Sequence, residues 1–411
     1  MTTKNNIPAG YKDSAVGIIP QEWEVSTLGK LVSITSGESP SLFNLRDNGR
    51  YPYIKVEDMN NCEKYQSFSR EYTDDERCAI PKGSIIFPKR GAAIINNKVR
   101  IAECDLYMDS NMMAITPNKH ICGNYLYFKI TDEKLFRIAD TSTIPQINNK
   151  HIIPYKICLP PMEEQRKIAE ILGVWDEAIE KQSRLIEKLE LRKRALMQRL
   201  LTGRTRLPGF TTPWQKVKLG EIGNFDKGAG VPKEKIVSEG CKAITYGEIY
   251  TKYDYAIKDF ASYIDSDTAQ TSKQISSGAI LFAGSGETLE DIGKCVAFID
   301  NDKAYAGGDI IIFNPSIEVD SLVLSYILNS PVAIAQKRRY GQGHSVVHIY
   351  QKDLARIELE LPSLPEQKAI AEVLTTADDE ITIHRKKLDA LRLQKRGLMQ
   401  QLLTGKTRVR I

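Results

Sequence analysis

Apolar residues recur along two stretches of the chain at alternating steps of four and three positions. The first stretch uses Ile168, Leu172, Trp175, Ile179, Ile186, Leu189, Leu196 and Leu200, and the second uses Ile370, Leu374, Ala377, Ile381, Leu388, Leu391, Leu398 and Leu402. A period of about 3.5 residues is typical of a coiled-coil seam and predicts two long helices. An LLTG sequence follows each seam, and its glycine is expected to end the helix. Gly173 leaves open a break of the first helix into two shorter ones.

The two helical stretches are copies of one another, 202 positions apart. Residues 159–207 align with residues 361–409 without a gap, and 23 of these 49 positions are identical. Both copies begin with LPxxxEQ, continue with IAExL and close with LLTGxTR. Self-similarity at a fixed distance indicates a duplicated architecture, so we expect the same structural unit twice.

Looser matches precede each helix. WEVSTLG, beginning at Trp23, parallels WQKVKLG, beginning at Trp214, and KGSIIF at Lys82 parallels SGAILF at Ser277. The segments between are short, rich in β-branched and aromatic residues, and separated by Gly, Pro and Asn, which indicates strands and turns. We therefore predict an α+β fold: two similar mixed α/β domains separated by two long helices, which form an antiparallel coiled coil with pseudo-twofold symmetry.

The predicted order along the chain is domain, helix, domain, helix. The boundaries are a first domain at 1–158, a helical spacer at 159–207, a second domain at 208–360 and a second spacer at 361–411. If the two helices bury their seams against each other, the two domains are expected at opposite ends of the helix pair.

Polar residues interrupt the apolar seams at equivalent places, Gln182 and Lys193 in the first copy and His384 and Lys395 in the second. Burying a lone lysine in a seam is costly, so polar residues facing polar residues would fix the register. Placing the centre of the pair between residues 187 and 188 sets Gln182 against Lys395 and Lys193 against His384.

Composition and charge narrow the function classes. The chain has 411 residues, of which 42% are hydrophobic and 27% charged, as in soluble globular proteins. It has no stretch typical of a signal peptide or a membrane span, and its seven cysteines form no CxxC pair, so we expect a cytoplasmic protein without disulfides. Basic clusters at 192–206, 337–339 and 385–410 fit either solvated helix faces or a polyanionic partner.

The two sets of LPxxxEQ, IAExL and LLTGxTR, with their spacing, resemble those of the DNA specificity subunit of type I restriction–modification systems, and the resemblance covers essentially the whole chain. That family alternates two target recognition domains with two helical spacers. The resemblance implies that each domain reads one half of a bipartite site in double-stranded DNA. It implies that the helices set the half-site spacing and dock two modification subunits, which methylate adenine, and that restriction subunits join to cleave DNA. S-adenosylmethionine, ATP and magnesium are then expected on the partner subunits, with no cofactor on this chain.

Base reading is expected from loops that carry polar or basic residues beside glycine, because such side chains pair with base edges and glycine lets the backbone approach. The alternative is that these are ordinary solvated loops. Lys337, Arg338 and Arg339 are expected to contact phosphate rather than bases. The candidate DNA-binding residues are Lys89, Arg90, Asn97, Lys98, Thr143, Gln146, Ser285, Lys337, Arg338, Arg339, Gln342, His344 and Ser345.

Further apolar residues lie off the helix seams. They either broaden the antiparallel core or form two equivalent stripes that seat two copies of one partner. The candidate docking residues are Leu191, Met197, Leu201, Leu393, Met399 and Leu403.

Three motifs that imitate small-molecule sites are rejected. TGKT at 404–407 is not a nucleotide-binding loop, because Gln400 stands where that loop needs its first glycine. The glycines of Gly284-Ser-Gly286 imitate an S-adenosylmethionine motif, but no adenine methylase motif accompanies them. His344 and His348 have no third metal ligand near them in the sequence. We therefore expect a non-catalytic subunit; the alternative is a coiled-coil protein–protein scaffold that does not read DNA.

Overall fold

A computed structural model of the chain describes residues 7–141, 144–343 and 346–410. The fold divides into two compact units: unit 1 comprises residues 1–183 and 386–411, and unit 2 comprises residues 184–385. Among the described residues, no helix combines the length and the apolar character that crossing a membrane requires.

Unit 1 contains a mixed α/β domain made of short strands and short helices. Its strands are β1 (Tyr11–Lys12), β2 (Ile19–Pro20), β3 (Glu24–Thr27), β4 (Val32–Ser36), β5 (Tyr51–Ile54), β6 (Tyr65–Gln66), β7 (Tyr72–Thr73), β8 (Ile85–Pro88), β9 (Arg100–Ala102), β10 (Tyr107–Met108), β11 (Met112–Pro117) and β12 (Lys156–Leu159). Its short helices are α1 (Leu28–Leu31), α2 (Ala92–Ile95), α3 (Gly123–Glu133), α4 (Leu135–Ile138) and α5 (Asn149–Ile152). The main sheet has the order β4-β11-β8-β9-β6, and a smaller sheet has the order β10-β5-β7.

Unit 2 contains the corresponding domain. Its strands are β13 (Gln215–Lys218), β14 (Gly223–Lys227), β15 (Ile236–Val237), β16 (Cys241–Ile244), β17 (Ala256–Ile257), β18 (Ser262–Ile264), β19 (Lys273–Ile275), β20 (Ile280–Ala283), β21 (Ser285–Gly286), β22 (Cys295–Phe298), β23 (Ala304–Ala306), β24 (Ile310–Pro315), β25 (Val347–His348) and β26 (Glu358–Leu361). Its short helices are α7 (Tyr246–Thr251), α8 (Ser266–Thr271), α9 (Ser321–Leu328), α10 (Pro331–Tyr340) and α11 (Gln351–Leu354). The sheets have the orders β14-β24-β20-β22-β17 and β15-β18-β16-β23-β19.

The main sheet is the same in both units. In each unit the pairs along the strand order are antiparallel, except for the last pair, β9 with β6 or β22 with β17, which is parallel. The second sheet differs, with three strands in unit 1 and five in unit 2. The prediction of two similar mixed α/β domains is therefore confirmed, and the units differ in what is attached to a common sheet.

The central strand of each main sheet is buried on both faces. Along β8, Ile85 and Phe87 belong to the core that contains the long helices, whereas Ile86 belongs to a second core on the opposite face. In β20, Phe282 and Leu281 divide between two cores in the same way. Because side chains alternate between the faces of a strand, a strand that is covered twice reads as a continuous apolar run.

The two long helices are α6 (Met162–Leu200) and α12 (Leu364–Leu402), and both lie within the predicted helical spacers. Gly173 does not break α6, because the helix continues through it and a Cβ added there would meet nothing within 4 Å. After each helix the glycine of LLTG has a positive φ, +65° at Gly203 and +72° at Gly405, as expected of a helix-ending glycine.

Within each unit the halves of the two long helices lie antiparallel. In unit 1 Glu164 near the start of α6 contacts Arg408, which follows α12, and Asp176 contacts Lys395. In unit 2 the same order is given by Glu366 with Arg206 and by the ion pair of Lys193 with Asp378. In both units the numbers rise along one helix as they fall along the other.

The repeated EQ and TR dipeptides meet in the core of each unit. In unit 1 the buried carboxylate of Glu164 accepts hydrogen bonds from Trp23 Nε1 (2.9 Å) and from the guanidinium of Arg408 (2.7 and 3.0 Å). In unit 2 the buried Glu366 accepts from Trp214 Nε1 (3.1 Å) and from Arg206 (2.5 and 2.7 Å). The glutamate of one copy is thus held by the arginine that ends the other copy. This pairing is a physical reason for the chain to carry both motifs twice.

The adjacent glutamine has an equally specific task. Gln165 accepts from the amide of Cys122 (2.8 Å) and donates to the carbonyl of Pro160 (2.9 Å). Gln367 accepts from the amide of Asp320 (2.8 Å) and donates in the same manner to the carbonyl of Pro362. The EQ dipeptide therefore anchors the start of each long helix to its own domain.

The lysines of the apolar seams have partners other than the predicted ones. Lys193 bonds to Asp378 and Lys395 bonds to Asp176, which lie six positions before the expected partners His384 and Gln182. Carboxylates satisfy the lysine charges better than neutral polar groups do, because an ion pair offsets the cost of removing a charge from water. The pairings of Lys193 with His384 and of Lys395 with Gln182 stay predictions, as do the pseudo-twofold symmetry of the whole and the location of the domains at opposite ends of the helix pair.

Candidate nucleic-acid interface

In unit 1 two loops that are distant in the sequence meet at the end of β8. The amide of Ile147 donates to the carbonyl of Lys89 (2.9 Å), and Arg90 and Gln146 form an antiparallel β-bridge. Both loops carry residues that the sequence proposes for base contact. The structure brings them side by side, so that a guanidinium and a carboxamide project from adjacent backbone segments.

The loop that carries Gln146 is closed by its own backbone. Asp140 and Gln146 exchange two hydrogen bonds, each of 2.9 Å from amide to carbonyl. Residues 142 and 143 lie outside the described residues, so the predicted contact of Thr143 lies there too. The described ends of the loop fix the direction in which Gln146 leaves the sheet.

Unit 2 repeats this arrangement. β21 pairs with β25 so that Ser285 lies opposite His348, and the amide of Ile349 donates to the carbonyl of Gly284 (3.0 Å). Gln342 and His348 exchange backbone hydrogen bonds of 2.9 and 2.8 Å. His344 and Ser345, which the sequence also put forward, lie outside the described residues.

The two loop pairs correspond position by position. Asp140, Gln146 and Ile147 of unit 1 become Gln342, His348 and Ile349 of unit 2 after a shift of 202 positions. The backbone hydrogen bonds are the same, but the side chains differ. Two domains that recognise different base sequences would need such a pair of loops, with the same backbone arrangement and different side chains.

The loop pair of unit 1 carries a concentrated positive charge. Lys89 is half-buried and Arg90 is exposed. Burial, and then the positive charge of Arg90, lower the pKa of Lys89 below its usual value. An anion such as a DNA phosphate would relieve the repulsion between the two cations, and an exposed arginine beside a carboxamide can also pair with base edges.

In unit 2 the corresponding loops border a cleft of ≈ 640 Å³. Its lining includes Ser285, His348, Lys227 and Lys352. Ser285 is buried, with 8% of its surface exposed, and its hydroxyl lies 3.0 Å from Nδ1 of the half-buried His348. Ser285 therefore holds the imidazole in place, and its predicted contact with DNA stays a prediction. Sequence reasoning missed Lys227 and Lys352; a signal for Lys227 was available, because this lysine is the last residue of a strand.

Two of the residues that the sequence proposes as DNA contacts, Asn97 and Lys98, bond to other parts of unit 1. Asn97 donates to the carbonyl of Thr131 (2.8 Å) and accepts from the amide of Leu135 (2.9 Å), so its amide group holds two helices together. Lys98 donates to the side chain of Asn60 (2.6 Å). The predicted DNA contacts of Asn97 and Lys98 stay predictions.

The predicted phosphate cluster of α10 is also divided by the structure. Lys337 is 1% exposed and its ammonium donates to the carbonyl of Gly293 (2.6 Å), so the prediction that it contacts phosphate is wrong. A helix places successive residues about 100° apart, which turns Lys337 into the core while its neighbours face water. Arg338 is half-exposed and pairs with Glu290 (2.8 Å), and Arg339 is exposed.

The predicted docking residues also separate into two groups. Leu201, Met399 and Leu403 are buried in the cores of their units, so the prediction that they form an exposed stripe is wrong. Met197 is half-buried. Leu191 and Leu393, which are equivalent in the repeat, have exposed fractions of 61% and 66% and remain available to a partner.

Comparison with known proteins assigns the class. The family model of the type I restriction modification DNA specificity domain matches residues 20–191 and 211–393. The match therefore covers most of the chain and occurs twice, in agreement with the two units. The chain belongs to this family of DNA specificity proteins.

Individual relatives cover nearly the whole chain. It is 25% identical to the type I restriction enzyme MjaVIII specificity subunit of Methanocaldococcus jannaschii, over 95% of this chain and 94% of the relative. It is 28% identical to the putative type I restriction enzyme MjaX specificity subunit of the same organism, over 97% of each chain. The crystal structure of the type I restriction–modification S subunit from M. genitalium shares the fold, with a TM-score of 0.59 at 17% identity and 98% coverage of both chains.

Proposed function

We propose that this chain is the DNA sequence-recognition subunit of a type I restriction–modification complex, in which each recognition domain reads one half of a bipartite site. The observation that carries the proposal is the loop pair at the end of β8 and its equivalent at the end of β20. The backbone bonds are the same in both, whereas Arg90 and Gln146 are replaced by Ser285 and His348. With the same backbone arrangement but different side chains, one fold can recognise two different half-site sequences.

The long helices are proposed to act as a ruler and as a docking surface. A helix of 39 residues is about 58 Å long at about 1.5 Å per residue. Such a rod exceeds the roughly 35 Å of one turn of DNA, so two reading modules on it could address successive major-groove faces. Leu191 and Leu393 offer equivalent apolar contacts, which supports the docking of two modification subunits.

The chemistry is proposed to reside on the partners. S-adenosylmethionine would bind to the modification subunits, and ATP and magnesium to the restriction subunits, while this chain acts in the cytoplasm without a cofactor and without catalysis. Among the described residues, no three His, Cys, Asp or Glu side chains are grouped so as to hold a metal ion. The contribution of this chain is then positioning, since binding energy from base contacts presents one adenine to the methylating subunit.

A scaffold that binds proteins but reads no DNA is the competing proposal. The loop pairs favour DNA recognition, because a pure scaffold would have no use for two different sets of polar side chains on the same frame. The salt dependence of binding would separate the two: contact with several phosphates makes affinity fall steeply with salt.

The decisive experiment maps methylated adenines in host DNA with and without this chain, in the presence of the modification subunit. We expect a single bipartite motif, with two short specified sequences separated by unspecified bases, that disappears when the chain is absent. Methylation with no dependence on the chain, or a motif with one continuous half only, would contradict the proposal.

A further inference from the structure

One aspartate in unit 1 joins three segments of the chain. Asp176 on α6 accepts hydrogen bonds from Lys395 on α12 and from Lys64, which belongs to the recognition domain and lies 2.9 Å away. The exposed fractions of the side chains are 23% for Asp176, 14% for Lys64 and 18% for Lys395. A largely enclosed carboxylate therefore ties both long helices to the domain.

Unit 2 contains the equivalent aspartate with a different third partner. Asp378 on α12 accepts from Lys193 on α6 and from the hydroxyl of Tyr326 on α9. Asp176 and Asp378 are equivalent in the repeat, as are Lys395 and Lys193. The helix–helix ion pair is thus duplicated, whereas the contact with the domain has changed its chemistry.

Aromatic rings enclose the lysine in both units. Lys395 Nζ lies 5.3 Å from the centre of the Phe128 ring, and Lys193 Nζ lies 5.5 Å from the Tyr326 ring and 4.4 Å from the Tyr255 ring. Phe128 and Tyr326 are equivalent, since each is the sixth residue of its helix, α3 or α9. Each enclosed cation is held by a carboxylate of the other long helix and by a ring of the recognition domain, and the contact with the ring weakens when the domain tilts.

Lys64 of unit 1 and Tyr255 of unit 2 show why the second donor to the aspartate differs between the units. Lys64 and Tyr255 are equivalent, because each directly precedes a strand and its carbonyl accepts from the amide of Ile101 or Ala297 (2.8 Å in both). In unit 1 this position supplies the second donor, and the helix position holds Phe128. In unit 2 the helix position supplies the donor through Tyr326, and the loop position holds an aromatic ring. The second hydrogen-bond donor therefore comes from a different position in each unit, whereas in both units the aspartate accepts hydrogen bonds from two side chains.

We propose that this aspartate node, formed by Asp176, Lys395, Lys64 and Phe128 in unit 1 and by Asp378, Lys193, Tyr326 and Tyr255 in unit 2, holds each recognition domain at one angle on the helix pair. It thereby selects the number of base pairs accepted between the half-sites. The inference rests on the proposed function. Enclosed ion pairs contribute little net stability against apolar alternatives, but they fix geometry and register. A domain that rocks on its helices would accept several spacings.

The test uses the full chain assembled with its modification subunits and duplexes that carry the target mapped by adenine methylation. The spacer is lengthened or shortened by one base pair, and methylation rates and binding are compared. For the wild type we expect a preference of about tenfold or more for the natural spacer, as about 1.4 kcal/mol of misfit gives a factor of ten. Asp176→Asn and Asp378→Asn are expected to reduce that preference at least fivefold while discrimination of bases within the half-sites stays unchanged.

Matched controls lie one residue away in each helix. Glu177 pairs with Lys181 of the same helix at an exposed site. Asp379 pairs with Lys258 of the recognition domain, but both side chains are 56% exposed, and an ion pair so accessible to water constrains an angle weakly. Glu177→Gln and Asp379→Asn remove the same charge as the node variants, and both should keep the natural spacer preference.

A sharper test replaces the lysine donor of unit 1 by the tyrosine donor that unit 2 uses. Lys64→Met removes the second donor of Asp176 and should relax the spacer preference. Adding Phe128→Tyr to Lys64→Met places a hydroxyl where unit 2 has Tyr326, and should restore most of the preference. Rescue by this pair would not follow from a general effect on stability, and these variants decide the question if the aspartate variants do not fold.

The outcomes separate the two proposals. A wild-type complex that binds DNA without sequence selectivity overturns the proposed function. A wild-type complex that is selective, with node variants that keep the full spacer preference, overturns the aspartate node and leaves the proposed function intact. A node variant that loses selectivity for half-site bases as strongly as for spacing also contradicts the inference.

Discussion

Units 1 and 2 share a main sheet with the same strand order and the same contacts of the EQ dipeptide at the start of a long helix, yet they differ in their second sheets and in the loops at the end of the main sheet. The second sheet has three strands in unit 1 and five in unit 2. The loop pair carries Arg90 and Gln146 in one unit and Ser285 and His348 in the other. The buried contacts between the EQ dipeptide and its domain are the same in both units, whereas the side chains of the loop pairs differ.

This division has a physical basis. Glu164 and Glu366 are buried, and each is bonded by a tryptophan and by an arginine from the other copy of the motif. Changing the glutamate leaves the tryptophan without an acceptor in the core, and changing the arginine leaves the buried carboxylate without its counter-ion, so these residues are expected to change together. A loop side chain in solvent has no such constraint and can diverge alone.

The largest effect is expected from removing the buried glutamates. Glu164→Ala should destabilise unit 1 by about 3 kcal/mol, because the Trp23 indole loses its acceptor in the core and Arg408 keeps only its more exposed partner Glu22. Glu366→Ala should do the same to unit 2. Denaturant unfolding combined with peptide-resolved hydrogen exchange measures both effects.

The control for this comparison is Glu163→Ala, which removes an exposed carboxylate one position earlier and should change stability by less than about 0.5 kcal/mol. If Glu164→Ala alone lowers the protection from hydrogen exchange equally in both units, the two units do not unfold separately and the comparison fails.

The next effect concerns DNA reading. Arg90→Ala with Gln146→Ala should weaken binding to the target by about 1–3 kcal/mol per lost base contact and relax one half-site only. Ser285→Ala with His348→Ala should relax the other half. Competition binding with duplexes substituted in each half measures the difference. If both pairs relax the same half-site, the assignment of one half to each domain is wrong.

The long helices and the two-domain arrangement could be predicted from the sequence, because the hydrophobic period and the internal repeat can be read directly from it. The seam from Ile168 to Leu200 predicted a helix, and the structure has α6 over Met162–Leu200. The rejection of a break at Gly173 needed the structure, since glycine in a helix is unfavourable but tolerated. The division into two similar mixed domains followed from short matches such as the one between Trp23 and Trp214.

The partners of individual side chains could not be predicted. Lys337 belongs to a basic cluster in the sequence, but its place on α10 turns it into the core. Leu403 looked like part of an exposed stripe, and it is buried because the domain of unit 1 covers the end of α12. Contact between Glu164 and Arg408 joins residues 244 positions apart, which no local pattern reveals.

Two buried lysines, one in each unit, have pKa values shifted in opposite directions. In unit 1 burial alone would lower the pKa of Lys129, but its interactions with Cys158 and Glu133 outweigh burial and raise it. In unit 2 burial lowers the pKa of Lys337, whose ammonium donates to the neutral carbonyl of Gly293. Lys129 therefore stabilises unit 1 when charged, and the charge of Lys337 weakens unit 2.

Lys337→Met is accordingly expected to raise the stability of unit 2 by about 1–2 kcal/mol at neutral pH. In the wild type the unfolded chain binds more protons than the folded one between the lowered pKa and the usual value of 10.5, so this lysine makes stability rise with pH in that window. The variant should lose that rise. For Lys129 the sign is reversed: its contribution is present below 10.5 and is lost as pH rises through the raised pKa. Unfolding at several pH values checks both, and a loss of stability in Lys337→Met would contradict the reasoning.

The smallest effect is expected from two helical glycines of unit 1, Gly173 and Gly397, whose equivalents in the sequence repeat are Thr375 and Ala195 of unit 2. A Cβ added at either glycine meets nothing within 4 Å, so Gly→Ala should stabilise unit 1 by about 0.5–1 kcal/mol per site through helix propensity alone. Ala195→Gly should cost unit 2 about the same, which makes it the matched control. Thermal unfolding measures the isolated chain, and assembly with the modification subunits is measured beside it. If Gly397→Ala stabilises the chain but weakens assembly, the glycine serves the close approach of a partner helix, and the difference between the units at this position belongs to docking rather than to folding.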